Sequence, residues 1–268
     1  VERIFYMNQK ALQTLEFYKI IERLTDFAHS EPGKKLCREL VPSSDFHEIV
    51  QNQTETADAV SRVRMKGSLS FAGVSDVGDS LKRLEIGGSL SAHELLSISG
   101  LLTCAARAKN YGRHPENQEI PDDSLDGMFR ALEPLTNVNQ EITRCILSEE
   151  EIADDASPGL RHVRRQMKIT ADRVHTQLNS ILNSSRTLLQ DAVITMRDGR
   201  YCLPVKAEHK SQFPGMVHDQ SSTGSTLFIE PMAVIKLNNE LRELELQERK
   251  EIEMVLAALS MELVPYVE

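Results

Sequence analysis

Apolar positions recur at helical spacing along most of the chain. Leu15, Ile20, Ile21, Leu24 and Phe27 form a first stripe, and Phe46, Ile49, Val50, Ala57, Val60 and Val63 a second. Both patterns fit one face of a 3.6-residue helix. Glu31-Pro32-Gly33 and Pro42-Ser43-Ser44 are expected to break the chain around a short helix over 34–40. Residues 67–77 read as a loop of small side chains. Helices follow near 79–86 and 92–111, parted by Gly87-Gly88. Ser91 ahead of Ala92-His93-Glu94 is a capping box, in which the Ser91 hydroxyl and the Glu94 carboxylate each satisfy a free amide of the first turn. Residues 112–123 read as a polar linker, and 125–132 and 138–147 as shorter helices. Residues 1–156 are thus expected to form an all-helical core. Met7 reads as a natural start, so residues 1–6 read as leader or upstream sequence.

An acidic junction, 149–156, leads to Ser157-Pro158, which predicts a clean helix start. Serine accepts from the free amides, and proline suits a first turn that needs no donor. Leu160, Met167, Val174, Ile181 and Leu188 then recur every seven residues, with Val163 and Leu178 widening the stripe. An apolar seam of that period asks for one long antiparallel partner. Roughly 30 residues give about 45 Å of helix. The partner is the returning segment, with Val234, Leu237, Leu241 and Leu244 in its seam. Ile252, Val255, Leu259 and Leu263 resume the seam displaced by one position, which predicts local unwinding. Pro265 should end or bend this helix. The expected layout is an outgoing lever over 157–190 and a returning lever over 231–268.

Between them, over 191–230, the period falls to two. Asp198-Gly199 suits a type I′ hairpin turn. That register sets Arg197 opposite Arg200, Met196 opposite Tyr201 and Ile194 opposite Leu203. Ala192, Ile194, Met196, Tyr201, Leu203 and Val205 would share a buried face, and Thr195, Arg197, Arg200, Cys202 and Lys206 the other. Two arginines directly opposite repel, at about 0.2–1 kcal/mol. Either an anion lies beneath the hairpin, or both side chains splay into water beside Asp198. Residues 216–218 and 226–229 supply two more short strands, and three or four strands are near the minimum for a stable sheet. The predicted fold class is mainly α: a helical core, then long antiparallel lever helices carrying a small antiparallel β clamp.

Composition narrows the function. Aromatic residues make up 5% of the 268 and tryptophan is absent, which argues against a base-stacking platform for single-stranded nucleic acid. No apolar run approaches a membrane span, and no signal-peptide segment opens the chain. Cys37, Cys104, Cys145 and Cys202 are far apart and form no CxxC pair, which predicts reduced thiols in a cytoplasmic protein. The net charge of −9 hides a division. Between 158 and 190, Arg161, Arg164, Arg165, Lys168, Arg173 and Arg186 face Asp172 alone, a net of +5. From 232 to 268, four cations stand against eight glutamates, a net of −4. Either the two helices neutralise each other, or the basic one faces an anion.

There is no GxxxxGK[ST] phosphate loop, HExxH, zinc-spaced Cys/His cluster or GxSxG elbow in the sequence. No catalytic residue, metal site or cofactor is therefore expected within the chain, and no enzymatic activity of its own. The run Ser221-Ser222-Thr223-Gly224-Ser225-Thr226 is similar to a phosphate nest, although any loop needs such residues. The candidate phosphate contacts are Arg197, Arg200, Lys206, Lys210 and His218, with Ser221, Ser222 and Thr223 as secondary donors.

Three long motifs resemble the MutS-II family of bacterial MutS homologues: 193–206 (VITMRDGRYCLPVK), 215–231 (GMVHDQSSTGSTLFIEP) and 237–243 (LNNELRE). The opening MNQKALQTLEF (7–17) and SPGLRHVR (157–164) are similar to that family too. The resemblance implies a helical core, levers and a clamp, followed in full-length members by a dimerising ABC-type ATPase and usually a terminal nuclease domain. Those last two domains have no counterpart in these residues, so ATP and Mg belong to them. The resemblance further implies gripping of branched DNA, with suppression of recombination, or of collided ribosomes, for their rescue, by a homodimer with no membrane partner. A protein–protein or dimerisation arm without nucleic-acid contact is the alternative.

Overall fold

The computed structural model describes residues 9–113 and 122–267. Residues 1–8, the 114–121 part of the expected linker and residue 268 lie outside the described residues, and so does the expected start at Met7. The chain divides into two units, one running to Glu151 and taking in the chain from Leu256, the other spanning Ile152–Val255.

The first unit begins with α1 (Gln9–Thr14), α2 (Phe17–Phe27), α3 (Glu31–Glu39) and α4 (Phe46–Lys66). Ser30 caps α3 by accepting from Gly33 N at 3.2 Å. Pro32 therefore lies inside the first turn, where its missing N–H costs nothing, and the expected break falls before Glu31 instead of after it. Asp45 caps α4, accepting from His47 and Glu48. Next come α5 (Gly78–Glu85) and α6 (Ala92–Gly112), the latter entered through the Ser91–Glu94 capping box. α7 (Asp126–Ala131) and α8 (Thr136–Cys145) follow, then a two-stranded ladder, β1 (Ile146–Ser148) with β2 (Glu151–Ile152). Leu84, Leu90, Leu95, Ile142 and Ile146 are buried here, as are Leu259 and Leu263 near the chain's far end. A buried Arg62 joins α4 to the 122–126 segment through Asp123 and Asp126, the latter at 2.7 Å. Hydrogen bonding to Arg62 holds the Asp123 carboxyl below its usual range.

The second unit opens with α9 (Pro158–Ser184), capped by Ser157, whose hydroxyl accepts from Leu160 N at 2.9 Å. The helix ends at Ser184, short of the expected 190, so Leu188 lies beyond it. The buried stripe is Leu160, Val163, Thr170, Val174, Leu178 and Leu182. From Thr170 on it steps by four, so Leu182 takes the buried place expected for Ile181, and Met167 is only half-buried. This spacing departs from the strict seven-residue repeat of a heptad seam.

Four strands follow: β3 (Thr195–Arg197), β4 (Arg200–Lys206), β5 (Gly215–Gln220) and β6 (Thr226–Pro231). They form one antiparallel sheet in the order β3-β4-β6-β5. The chain returns through α10 (Ile235–Leu263), whose first part lies in this unit. Val234 and Leu241 of the expected seam are buried, while Leu237 and Leu244 are half-buried. Three contacts fix the antiparallel sense of α9 and α10: Ser157 to Glu251 at 3.3 Å, Arg164 to Glu248 at 2.7 Å and Thr170 to Glu240 at 3.1 Å. The core of the unit joins Val174, Leu178 and Leu182 of α9 to Leu203, Val205, Leu227 and Ile229 of the sheet and to Val234. Among the described residues, no helix is long and apolar enough to cross a membrane, and the four cysteines are free.

Candidate nucleic-acid interface

Strand alternation sends Leu203, Val205, Leu227 and Ile229 into the core and places Arg200, Cys202, Phe228 and Glu230 on the opposite face. The hairpin register is the expected one: Arg197 pairs with Arg200 and Met196 with Tyr201 across Asp198-Gly199, both at positive φ. The burial of the faces differs from expectation. Met196 is 51% exposed and Ala192 is exposed, whereas Cys202 is fully buried. β4 has neighbours on both edges and its Cys202 lies beside Glu230 of β6, while the short edge strand β3 leaves Met196 in water. Burial pushes the Cys202 thiol up to about 11, and such a thiol is inert.

What covers Cys202 is a buried polar cluster around Glu230. This carboxylate is wholly buried. It accepts from Asn238 Nδ2 at 2.7 Å and Arg200 Nη1 at 2.9 Å, and lies 2.7 Å from His218 Nε2. Burial pushes its carboxyl up, but the bonds to Asn238, His218 and Arg200 outweigh that and hold it below the usual carboxylate range. A bulge between Val217 and Asp219 frees His218 from strict pairing. Asn238 has a second task. The β4–β6 register, continued past Leu203–Ile229, brings Tyr201 opposite Pro231, which has no N–H to give. The Asn238 amide takes that place: its Nδ2 donates to Tyr201 O at 3.2 Å and its Oδ1 accepts from Tyr201 N at 3.4 Å.

The two arginines are therefore answered within the fold. Arg197 pairs with Asp219 at 2.9 Å and lies 3.9 Å above the Phe228 ring. Arg200 pairs with Glu230 and also donates to Asn239 at 2.7 Å. Neither an anion beneath the hairpin nor splaying into water is needed to explain the pair. Lys206 is half-buried and donates to Thr187 O at 3.3 Å, while Lys210 is exposed. In the β5–β6 loop, Ser221 Oγ caps Thr226 N at 3.1 Å, and Thr223 bonds to Ser225 at 2.8 Å and lies 3.4 Å from Ser221. Gly224 supplies the positive φ that closes this loop. Ser222 is exposed.

The basic helix behaves differently. Of the six cations between 158 and 190, five on α9 and Arg186 beyond its end, Arg164 alone reaches the returning helix, at Glu248, and it also holds Asp154. Arg161 reaches Asp155 at 3.6 Å. Arg165, Lys168, Arg173 and Arg186 are exposed and take part in no ion pair among the described residues. Direct ion pairing between the two helices thus engages one of these cations among the described residues. Arg161, Arg165 and Lys168 fall on the helix face turned away from Leu160 and Val163, with Asp172 as the acid among them.

The sequence reading missed Glu230, Asn238, Asp219 and Phe228. A signal existed for Asn238: two consecutive asparagines, Asn238-Asn239, are poor helix formers inside a helix. Among the described residues, no group of three or more His, Cys, Asp or Glu is placed to hold a metal ion.

The fold defines a mainly helical protein in which one long antiparallel helix pair is joined through a four-stranded sheet. No family model matches the chain, but relatives do. It is 59% identical over 260 residues to the Endonuclease MutS2 of Lachnoclostridium phytofermentans, covering 95% of this chain and 33% of that protein. It is 56% identical over 256 residues to the Endonuclease MutS2 of Agathobacter rectalis, covering 95% and 32%. The Endonuclease MutS2 of Clostridium botulinum strain Alaska E43 is 44% identical over 255 residues. The chain is thus MutS2-like over nearly its whole length, and it spans about a third of the length of these curated relatives.

Proposed function

We propose that this chain is the nucleic-acid-gripping portion of a MutS2-like protein, which holds sugar–phosphate backbone without reading bases. On this reading α9 and α10 are levers and the β3–β6 sheet is their clamp. The carrying observation is that Arg165, Lys168 and Arg173 stand exposed on α9, and Arg186 just beyond its end, without carboxylate partners among the described residues. A local patch of this kind binds phosphate even when the average charge is −9. Lys210, Lys206 and Arg197 extend the surface, with Ser221, Ser222 and Thr223 as secondary donors. Arg200 and His218, engaged by Glu230, serve it by fixing the sheet. Branched DNA and ribosomal RNA present the same backbone chemistry and are both ligands of this reading. Hydrolysis of ATP or of nucleic acid, homodimerisation, and any need for ATP and Mg belong to the two-thirds of the relatives' length not represented here.

The test is a salt titration with the full-length protein. In Arg165→Glu/Lys168→Glu/Arg173→Glu, affinity for branched DNA or ribosomes should fall. The slope of log affinity against log salt should shrink by about 0.9 per lost duplex contact. Arg200→Glu is a poor probe, because it sets a second carboxylate against buried Glu230. Unchanged affinity in the triple variant, with crosslinks from α9 only to protein, would establish the protein–protein arm instead.

A further inference from the structure

Phe228 breaks the alternation of its strand. Leu227 and Ile229 point into the core, so the residue between them faces the other side of the sheet, where a polar side chain is the usual choice. A half-buried aromatic ring stands there instead. Arg197 lies over it, with the guanidinium carbon 3.9 Å from the ring centre, close enough for face-to-face stacking. Two of the three guanidinium nitrogens are engaged within the protein: Nε lies 2.9 Å from Asp219, and Nη1 donates to Met196 O at 2.8 Å. Asp219 answers the charge, and its own side chain, 48% exposed, repels a phosphate brought to the same place. Even so, 36% of the Arg197 side chain is exposed, and no second ring lies over it among the described residues. Asp219 runs directly into the 221–225 loop of hydroxyl side chains.

We propose that Arg197, backed by Phe228, is a stacking plate for one unpaired nucleobase at a branch or bulge of the bound nucleic acid. The inference rests on the phosphate-binding reading and deepens it, because it gives a branched ligand a feature that a plain duplex lacks. A guanidinium whose donors are tied down and whose charge is neutralised has one chemistry left to offer, the flat face turned away from Phe228. Flat unsaturated rings stack on such a face, and nucleobases do so in nucleic-acid complexes. Asp219 and Met196 hold the plane in place before the ligand arrives, so little side-chain freedom is lost on binding. A paired base inside a duplex has both faces covered by its neighbours in the stack, whereas an unpaired base has a face to give. Stacking tolerates any base, which agrees with a grip that reads no sequence. A single arginine plate also differs from the extended aromatic platform that the composition argues against.

The experiment uses the full-length protein and a pair of three-way junctions, one fully paired and one with a single unpaired nucleotide at the branch, each made as DNA and as RNA. In DNA, RNA or both, the parent should bind the unpaired form more tightly by about tenfold, in the lower part of the range for one stacked base. A 2-aminopurine at the unpaired position should lose fluorescence on binding, and a photoreactive thio-base there should crosslink to the β3–β4 hairpin or to Phe228. Arg197→Lys keeps the charge and loses the plane, so the ratio of the two affinities should fall to near one; Phe228→Leu should lower it too. If a variant fails to fold, the parent's ratio, quenching and crosslinks decide alone. Equal affinity of the parent for both junctions in DNA and in RNA would overturn the stacking plate while leaving the phosphate reading in place. Crosslinks confined to α9, or an undiminished ratio in folded Arg197→Lys, would do the same. Absence of any salt-dependent binding by the parent would sink both.

Discussion

Glu230 shows how much one strand residue can organise. A carboxylate that is wholly buried is tolerated because Asn238, Arg200 and His218 surround it. Asn238→Ala removes a donor to Glu230 and both bonds to the Tyr201 backbone. It should cost about 1–3 kcal/mol, read from urea denaturation of the full-length protein by a probe in the sheet. The same cluster sets an acid limit. The folded carboxyl lies below its ordinary value, so the unfolded state takes up the proton first as pH falls. The stabilisation is fully present above the unfolded value of about 4.3 and is lost as pH drops from there through the lower folded value. Glu230→Gln should flatten that acid arm of the stability curve; an unchanged arm would mean that the cluster does not contribute. Two glycines test packing at the same scale. A Cβ on Gly215 would sit 2.3 Å from the Glu230 carbonyl oxygen, which is backbone and cannot yield, whereas a Cβ on Gly159 would meet the flexible end of Glu251 at 2.2 Å. Gly215→Ala should therefore cost about 1–3 kcal/mol and Gly159→Ala far less, by thermal denaturation of the two variants in parallel.

At the scale of elements, the helices and the hairpin were legible because their signals are local. Ser157-Pro158 and the Ser91–Glu94 box are complete in four residues, and the Asp198-Gly199 turn fixes Arg197 opposite Arg200 without reference to anything distant. What was illegible depends on neighbours in space. The burial of Cys202 follows from β6 lying beside β4, and the pairing of Arg197 with Asp219 follows from β5 lying beyond β6. Neither order can be read from alternation alone. The seam shows the same division. Its existence was legible, but which of Ile181 and Leu182 is buried depends on whether the helix supercoils or stays straight. In the structure the buried stripe takes four-residue steps from Thr170 on, and Leu182 is the buried one. Val174 lies where this stripe meets the sheet core and is fully buried. Val174→Asp leaves a charge there with no partner and should destabilise the second unit by about 3 kcal/mol or more. Asp at exposed Gln177 should change little, and a similar loss at both positions would show that the stripe does not carry the packing.

For the whole molecule, the feature of consequence is the continuity of α10. Its residues up to Val255 belong to the unit that holds the sheet, and those from Leu256 to Leu263 to the unit that holds the helical core. If nucleotide turnover elsewhere in a MutS2-like protein alters the grip on nucleic acid, a single unbroken helix shared by both units is a physical route for it. Coupling of this kind is a free energy between two sites and is read as a change in affinity. Glu253 and Met254 adjoin the boundary and are both exposed, so replacing them removes stiffness without removing packing. Glu253→Gly/Met254→Gly should weaken the helix by about 1 kcal/mol per glycine. In the full-length protein, on the proposed reading, it should leave nucleotide-free binding of branched DNA or ribosomes near the parent's value while diminishing any shift in affinity that ATP produces. The control is Glu253→Ala/Met254→Ala, which keeps helix propensity and should keep the shift. A full ATP-dependent shift in the glycine variant would mean that the coupling does not pass along α10.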